Sequence, residues 1–408
     1  MIVENGVLKK VREEDINEDG TFIIQKGICK IGRGAFRNCE NLKNVIFPTT
    51  LEYIEDNAFD GCCELEEVEI PEGVREIGRE AFQSCFSLKG IKLPNSLRKI
   101  KGACFFYCES LERIEIPEGV REIGENAFEE CINLKEVVLP KTLKKITENL
   151  FIKCESLEKI EIPEGVMKIG KKAFEGCINL KEVRLPKTLE IIEEELFKGC
   201  KNLKKVEIPE GIKGIGKDSF RGCVELKSIS LPNSLKRIDG PILDRDYDAE
   251  VIEIPEGIEI IGYGAFSECK NLRQIILPKT LKDIGNYAFK GCVNLETITI
   301  PEGINKIWTG TFEGCNRLKK IIFPNKLINI LESGLDELII KYAKKIDRND
   351  NGTIEIEISE YQRNAQEWEK MNEAEVIDLS EVRGNVLEYI QTNAKTKEIN
   401  INIKNVTQ

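Results

Sequence analysis

The sequence predicts a repeat solenoid: about 13 turns of 23 residues, stacked through one long parallel β-sheet. Three observations predict it. Cysteine recurs every 23 residues at 39, 62, 85, 108, 131, 154, 177, 200, 223, 269, 292 and 315, and the one missing rung is Asp246. A proline stands nine residues after every rung, from Pro48 to Pro324. An isoleucine follows six residues later each time, from Ile54 to Ile330. Self-similarity at a fixed period of roughly 20–50 residues marks coils that bury their apolar face only against a neighbouring copy.

Residues 1–27 read as an N-terminal cap. Glu4-Asn5-Gly6 lies between the apolar pairs Ile2-Val3 and Val7-Leu8. Asn-Gly readily takes the positive φ angles of a type I′ hairpin turn. Thr21–Ile24 supplies a first strand, which shields the ladder's open edge.

The repeats proper run from 28 to 330. In the coil around Cys177, Leu180, Val183 and Leu185 alternate with Glu182 and Arg184, the two-residue period of a strand. Pro186 cannot donate to the ladder and ends that strand. At ~4.8 Å per strand the sheet is roughly 60 Å long. On the return stretch, Val166, Ile169 and Phe174 point back to the core.

A second order overlies the first. Pro-Glu-Gly units at 71, 117, 163, 209, 255 and 301 alternate with Pro-Asn-Ser-Leu or Pro-Lys-Thr-Leu units at 94, 140, 186, 232 and 278. The effective period is thus a pair of coils. Gly78, Gly124, Gly170, Gly216 and Gly262 follow the recurring isoleucine of the Pro-Glu-Gly units, and the sixth unit has Trp308 there. Glycine at this position implies a positive φ or a close backbone approach. One coil, Asp239–Ala249, loses the core Phe, Cys and Leu together and gains four aspartates, which reads as an irregularity, a partner-binding bulge or, with Asp244, Asp246 and Asp248, an incomplete calcium loop.

Residues 331–408 are expected to form an α/β C-terminal cap. The pattern predicts a helix over 334–346, a strand at Thr353–Ile358, a helix over 360–371, a strand at Glu375–Leu379, a helix over 382–393 and a strand at Glu398–Ile403. Between the first two, Asp347, Asn349 and Asn351 fit the opening of a calcium loop, although Ile358 stands where the closing glutamate belongs. A turn would use the same residue types.

Composition narrows the function. Net charge −11 with 32% charged residues disfavours nucleic acid. No apolar run approaches the ~20 residues of a membrane span. Residues 1–12 lack the basic start and apolar core of a signal peptide, so the expected location is cytoplasmic, or exported without such a signal. Stacked identical cysteines point in parallel, whereas a disulfide needs its two β-carbons turned toward each other. The ladder cysteines are therefore expected as small buried hydrophobes in a reducing compartment, and the three off the ladder, Cys29, Cys63 and Cys104, as the accessible thiols. With no histidine, no CxxC partner for a ladder cysteine, and no P-loop or nucleophile elbow, neither catalysis nor a cofactor is expected.

The repeated motif Cys-x-x-Leu-x-x-Ile-x-Ile-Pro-x-x-Val-x-x-Ile-Gly-x-x-Ala-Phe resembles the BspA-like leucine-rich repeat family, also called the Treponema pallidum type, over about three quarters of the chain. The resemblance implies a leucine-rich repeat right-handed superhelix, often on bacterial or protozoan surfaces, that binds host proteins, matrix or other cells.

A partner site is sought on the outward columns of the sheet. Through the first eight rungs the signs largely alternate, as in Arg113, Glu136, Lys159, Glu182 and Lys205, so neighbouring strands satisfy each other. From Ser228 onward the columns turn neutral and partly apolar, with Val251, Gln274, Ile276, Thr297, Thr299 and Ile322. Trp308, Tyr263 and Tyr287 occupy return-loop positions and predict an aromatic patch beside that end, unless Trp308 covers the end of the coil against the 334–346 helix. The expected function is that of a monomeric scaffold binding a protein through the C-terminal half of the solenoid. A surface adhesin or exported effector binding host proteins, and a calcium-responsive module, are the alternatives.

Overall fold

Among the described residues, most 23-residue coils carry two short parallel strands rather than one. In the computed structural model, which describes residues 1–226, 229–242, 250–308, 310–324, 343–348 and 353–358, the expected strands are three residues long, as in Glu67–Glu69 and Glu182–Arg184, with an exposed–buried–exposed pattern. They pair in a register of one whole repeat: Lys159 opposes Glu182, Ile160 opposes Val183 and Glu161 opposes Arg184. The second strand, such as Glu76–Ile77 or Lys99–Ile100, is two residues long and pairs with its counterpart in the same way. Sequence reasoning expects only the first ladder, because two residues are too few to display an alternation.

The described residues divide into two compact units. The first comprises Met1–Ile212 with Asp218–Ser230, the second Lys213–Lys217 with residues from Leu231 onward. Each is a stretch of parallel solenoid, and together they account for about 13 turns.

Stacking like on like builds the core. In the first unit the rings from Phe36 to Phe220 form one column, with successive centroids 4.7–5.8 Å apart and planes within 17°. In the second, Phe266, Phe289 and Phe312 repeat it at 5.9 and 5.7 Å. Aromatic pairs of this kind add about 0.5–1.5 kcal/mol beyond the area they bury.

The ladder cysteines are buried as expected, and they also donate. Cys177 Sγ lies 3.2 Å from the carbonyl oxygen of Phe151, Cys200 Sγ 3.1 Å from that of Phe174, and Cys292 Sγ 3.1 Å from that of Phe266. Each such carbonyl already accepts the N–H of its own coil's cysteine, as Phe174 does from Cys177. The thiol therefore ties two coils together. Cys104 corrects the sequence reading: it is fully buried, standing four residues before Cys108 in the column that holds Ala81 and Ala127. Cys29 and Cys63 are half-buried.

The paired period has a physical cause in the turns. The Glu72 carboxylate accepts the N–H of Asn95 (3.0 Å) and of Ser96 (3.1 Å), while Glu118 and Glu164 accept those of Lys141 and Lys187. In return, the hydroxyls of Ser96, Thr142 and Thr188 donate to the carbonyls of Val74, Val120 and Val166 at 2.9, 2.7 and 2.6 Å. A Pro-Glu-Gly turn and a Ser/Thr turn lock each other, so unlike coils alternate. The glycine after the isoleucine serves close approach. A β-carbon at Gly78, Gly124 or Gly170 would strike the backbone of the preceding coil at Asp56, Gly102 or Glu148, and none of the three has a positive φ.

At the N-terminus, Ile2–Glu4 and Val7–Lys10 form the predicted hairpin, with Asn5 and Gly6 at φ 50° and 75°. Val7–Lys10 then pairs parallel with Lys30–Ile31, so the hairpin covers the edge of the two-residue ladder. Thr21–Ile23 opens the three-residue ladder against Asn44–Ile46. At the other end, Lys320–Pro324 pairs antiparallel with Thr353–Ile358, which pairs with Ala343–Arg348. The strand Thr353–Ile358 is as expected. The helix expected over 334–346 is corrected: residues 343–346 belong to a strand, whose partner in the sheet outweighs the helical spacing of Leu335, Leu338 and Ile339. The elements expected from 360 onward, and Asp244, Asp246 and Asp248 of the irregular coil, lie outside the described residues.

Burial raises the ladder thiols, Cys39 to about 11 and Cys315 to about 12, from the ordinary value near 8.5. A folded pKa above the unfolded one contributes stability that is present below the unfolded value and lost as pH rises toward the folded one. Each thiol then costs up to ~1.4 kcal/mol per pH unit. Alkaline titration should therefore raise thiolate absorbance and abolish the circular dichroism in a single step starting above pH ~9. Ladder thiols that ionise while the dichroism stays intact would contradict the assignment.

Candidate protein-binding surface

The outward positions of the three-residue ladder in the second unit come together as the sequence reading requires. Val251 opposes Gln274 and Glu253 opposes Ile276. Gln274 opposes Thr297, and next Thr297 opposes Lys320 and Thr299 opposes Ile322. Two columns result, Val251–Gln274–Thr297 and Ile276–Thr299–Ile322, side by side on one face. Val251 is 52% exposed and Ile276 44%, large values for apolar side chains on a built surface.

A neighbouring column, formed by the residue just before each strand, carries charge. Glu250 meets Arg273 at 3.8 Å and Glu296 meets Lys319 at 3.2 Å. The uncharged columns are thus rimmed on one side by ion pairs, the layout of an apolar centre with a polar margin. The same column in the first unit pairs Glu66 with Lys89, Glu112 with Lys135 and Glu158 with Lys181, at 3.1, 3.0 and 2.7 Å. Each pair joins a Pro-Glu-Gly coil to the next one, so the two-coil period is written here as well. Sequence reasoning misses this column, although its signal is present: glutamate and lysine sit 23 residues apart at the same phase.

On the face of the first unit the expected self-pairing is partial. Arg113 meets Glu136 at 3.5 Å and Lys92 meets Glu69 at 2.5 Å. Lys205 turns to Glu207 on its own strand, 2.6 Å away, rather than to Glu182 on the next.

Tyr263, Tyr287 and Trp308 form a separate group, because they follow the two-residue strands and not the three-residue ones. Tyr263 follows Ile260–Ile261 and Tyr287 follows Asp283–Ile284. Their rings meet edge to face, centroids 5.5 Å apart at 73°, and Tyr263 is 61% exposed. Tyr287 holds a left-handed backbone, φ 59°, and its ring lies against Gly310, where any side chain would collide. The Lys290 ammonium sits 5.0 Å from the Tyr287 ring centre.

Trp308 is half-buried and held from two sides. Its indole N–H donates to Asp283 Oδ1 at 3.0 Å, and Lys306 Nζ stands 3.7 Å from the ring centre. Asp283–Ile284 is the last two-residue strand among the described residues, and Trp308 stands one coil later. The nine residues singled out from sequence therefore fall into two groups on different ladders. The predicted neighbour of Trp308, residues 334–342, lies outside the described residues.

Of the calcium candidates, Asp347 lies in the strand Ala343–Arg348, where the reading required the opening of a loop after a helix, and Asn349 and Asn351 lie outside the described residues. No cluster of three or more metal-ligating side chains occurs among the described residues. Among them, too, no helix is long and apolar enough to cross a membrane.

The profile of the BspA type leucine rich repeat region, six copies long, matches residues 20–135, 121–244 and 242–348. The chain belongs to this family. Among solved structures it is similar to a leucine-rich repeat protein from Bacteroides ovatus, with 28% identity over 75% of this chain and 81% of that one and a TM-score of 0.61. It is also similar to a leucine rich cell surface protein from Faecalibacterium prausnitzii (26% identity, 78% of this chain and 86% of that one, TM-score 0.45). A third similar structure is the T. pallidum leucine rich repeat protein (28% identity, 53% and 91%, TM-score 0.34). No curated protein matches the chain.

The hold on Trp308 is open to test in a Trp368→Phe background, where Trp308 is the sole tryptophan. Asp283→Ala should lower stability by about 1 kcal/mol and shift the indole emission, because a half-buried N–H loses its acceptor. Unchanged emission and melting would show that the hydrogen bond does not fix the ring.

Proposed function

We propose that this BspA-type repeat protein is a non-enzymatic scaffold that captures a protein partner through the uncharged columns of its second unit. Leucine-rich repeat proteins generally mediate protein–protein interaction. The observation that carries the finer reading is the alignment of Val251, Gln274, Ile276, Thr297, Thr299 and Ile322 on adjacent strands, with apolar side chains left exposed and charge moved to the margin. Water released from such a face favours association, whereas an array of mutually paired charges must first be desolvated. The Tyr263–Tyr287 pair, amphipathic and already ordered by its edge-to-face packing, supplies a second anchor on the other ladder.

In this reading the protein acts as a monomer in a reducing, cytoplasmic compartment. Fifteen free cysteines support that location, for the two half-buried thiols would be the first to oxidise elsewhere.

The test is affinity capture from the native cell with the full chain and three variants, followed by mass spectrometry. Ile276→Glu with Thr299→Lys should reduce recovery of the specific partner about tenfold or more while leaving melting within a few degrees. Tyr263→Ala should weaken it less. Ile46→Glu, on the same column of the first unit, should leave recovery unchanged. If Ile46→Glu matches the loss, or Ile276→Glu with Thr299→Lys retains the partner, the uncharged columns are not the site.

A further inference from the structure

The first unit carries a run of four like charges in one column. Arg75, Arg98, Arg121 and Lys144 occupy the same position in four successive coils, immediately before the two-residue strands, and all are exposed. The N–H of Arg98 donates to the carbonyl of Arg75 at 2.8 Å, and that of Arg121 to Arg98 at 3.0 Å, so neighbouring side chains leave the backbone about one strand spacing, ~4.8 Å, apart. In the column of Glu66, Lys89, Glu112, Lys135, Glu158 and Lys181, glutamate alternates with lysine at this spacing and the two pair. Here four cations follow one another.

Glu52 stands one rung before Arg75 at the end of the run, and four other acids nearby are already engaged. Glu76, beside Arg75, pairs with Lys101 at 2.7 Å. Glu122, beside Arg121, pairs with Lys99 at 2.8 Å. Glu72 and Glu118, in the turns that lead into the stripe, accept backbone N–H groups of the following coil. Arg98 gives one guanidinium nitrogen to the carbonyls of Asn95 and Leu97, both at 2.8 Å, which fixes its direction and leaves its other donors unassigned. Among the described residues none of the four forms an ion pair with an acidic side chain. Four uncompensated cations on a protein of net charge −11 repel one another, and an anionic partner would relieve that repulsion.

Spacing selects the partner. Residues three and four apart on an α-helix stand ~5–6 Å from each other, close to the coil spacing, so carboxylates on one helix face stay in step over four rungs. Same-face residues of an extended peptide recur at roughly 6.7 Å and fall out of step by the third rung. Arginine, with a planar fork of donors, is suited to meet carboxylates two bonds at a time. We propose that Arg75, Arg98, Arg121 and Lys144 form a docking stripe for the acidic face of a partner helix. This surface lies in the first unit and stands independently of the uncharged columns.

Fluorescence anisotropy with the full chain tests it, using a labelled synthetic alanine-rich helix with glutamates at i, i+4, i+7 and i+11. A second helix of the same composition has its glutamates dispersed around the axis. The aligned helix should bind about tenfold tighter than the dispersed one at low salt, and its advantage should shrink as salt is raised. Arg98→Glu with Arg121→Glu should remove that advantage. Arg75→Glu with Lys144→Glu should do the same without disturbing the carbonyl contacts of Arg98, which covers the case where the first variant misfolds. Equal binding of the two helices, or an advantage that survives both variants, overturns the proposal. So does stripe-dependent binding of a heparin oligosaccharide with no binding of either helix, which would assign the stripe to a sulfated glycan.

Discussion

Everything in this molecule depends on one constraint: each residue stands over the residue 23 positions before it, held there by backbone hydrogen bonds between coils. The N–H of Phe174 reaches the carbonyl of Leu196, and that of Phe151 reaches Ala173, without regard to side chain. Once that register exists, a side chain's first neighbour is its own counterpart. Phenylalanines become a stacked column, cysteines become a column of donors to phenylalanine carbonyls, and glycine is required wherever backbones come too close for a β-carbon. Charges obey the same rule. A column whose signs alternate satisfies itself, as Glu158 and Lys181 do.

The same constraint explains why unlike coils alternate. A turn that presents a carboxylate needs a neighbour that presents N–H and hydroxyl donors, as Glu164 does with Lys187 and Thr188. Two identical turns of either kind would leave acceptors facing acceptors or donors facing donors. The neighbouring ion-pair column repeats the logic with Glu158 and Lys181. Each exposed pair contributes little alone, a few tenths of a kcal/mol to ~1. Their effect is on order, because a coil slipped by one repeat loses turn locks and ion pairs along its whole length.

Much of this is legible in the sequence. The period, the buried Phe, Leu, Ile and Cys columns, the Asn5-Gly6 hairpin and the strand at Thr353–Ile358 all follow from spacing, because the repeat states each rule many times. The second ladder is hidden, since its two-residue strands show no alternation. Cys104 is misjudged when it is counted against the cysteine ladder instead of the alanine column to which it belongs. The helix expected over 334–346 rests on apolar spacing alone, and cross-strand pairing decides otherwise for residues 343–346. The uncharged columns are neighbours, as the spacing requires. Trp308, Tyr263 and Tyr287 are recognisable as a group but belong to a different vicinity, because which ladder a return loop follows depends on the strand that periodicity does not reveal.

A coil that touches only its two neighbours makes a definite statement about stability, and hydrogen exchange on Phe174→Ala tests it most directly. Phe174 is fully buried between Phe151 and Phe197. Its removal should cost roughly 3–5 kcal/mol. Protection should fall in the coils around Phe151, Phe174 and Phe197 and remain at wild-type level around Phe59 and around Phe289. Equal loss of protection in all of these coils would contradict the account, because stability would then belong to the whole chain and not to the stacking of each coil on the next.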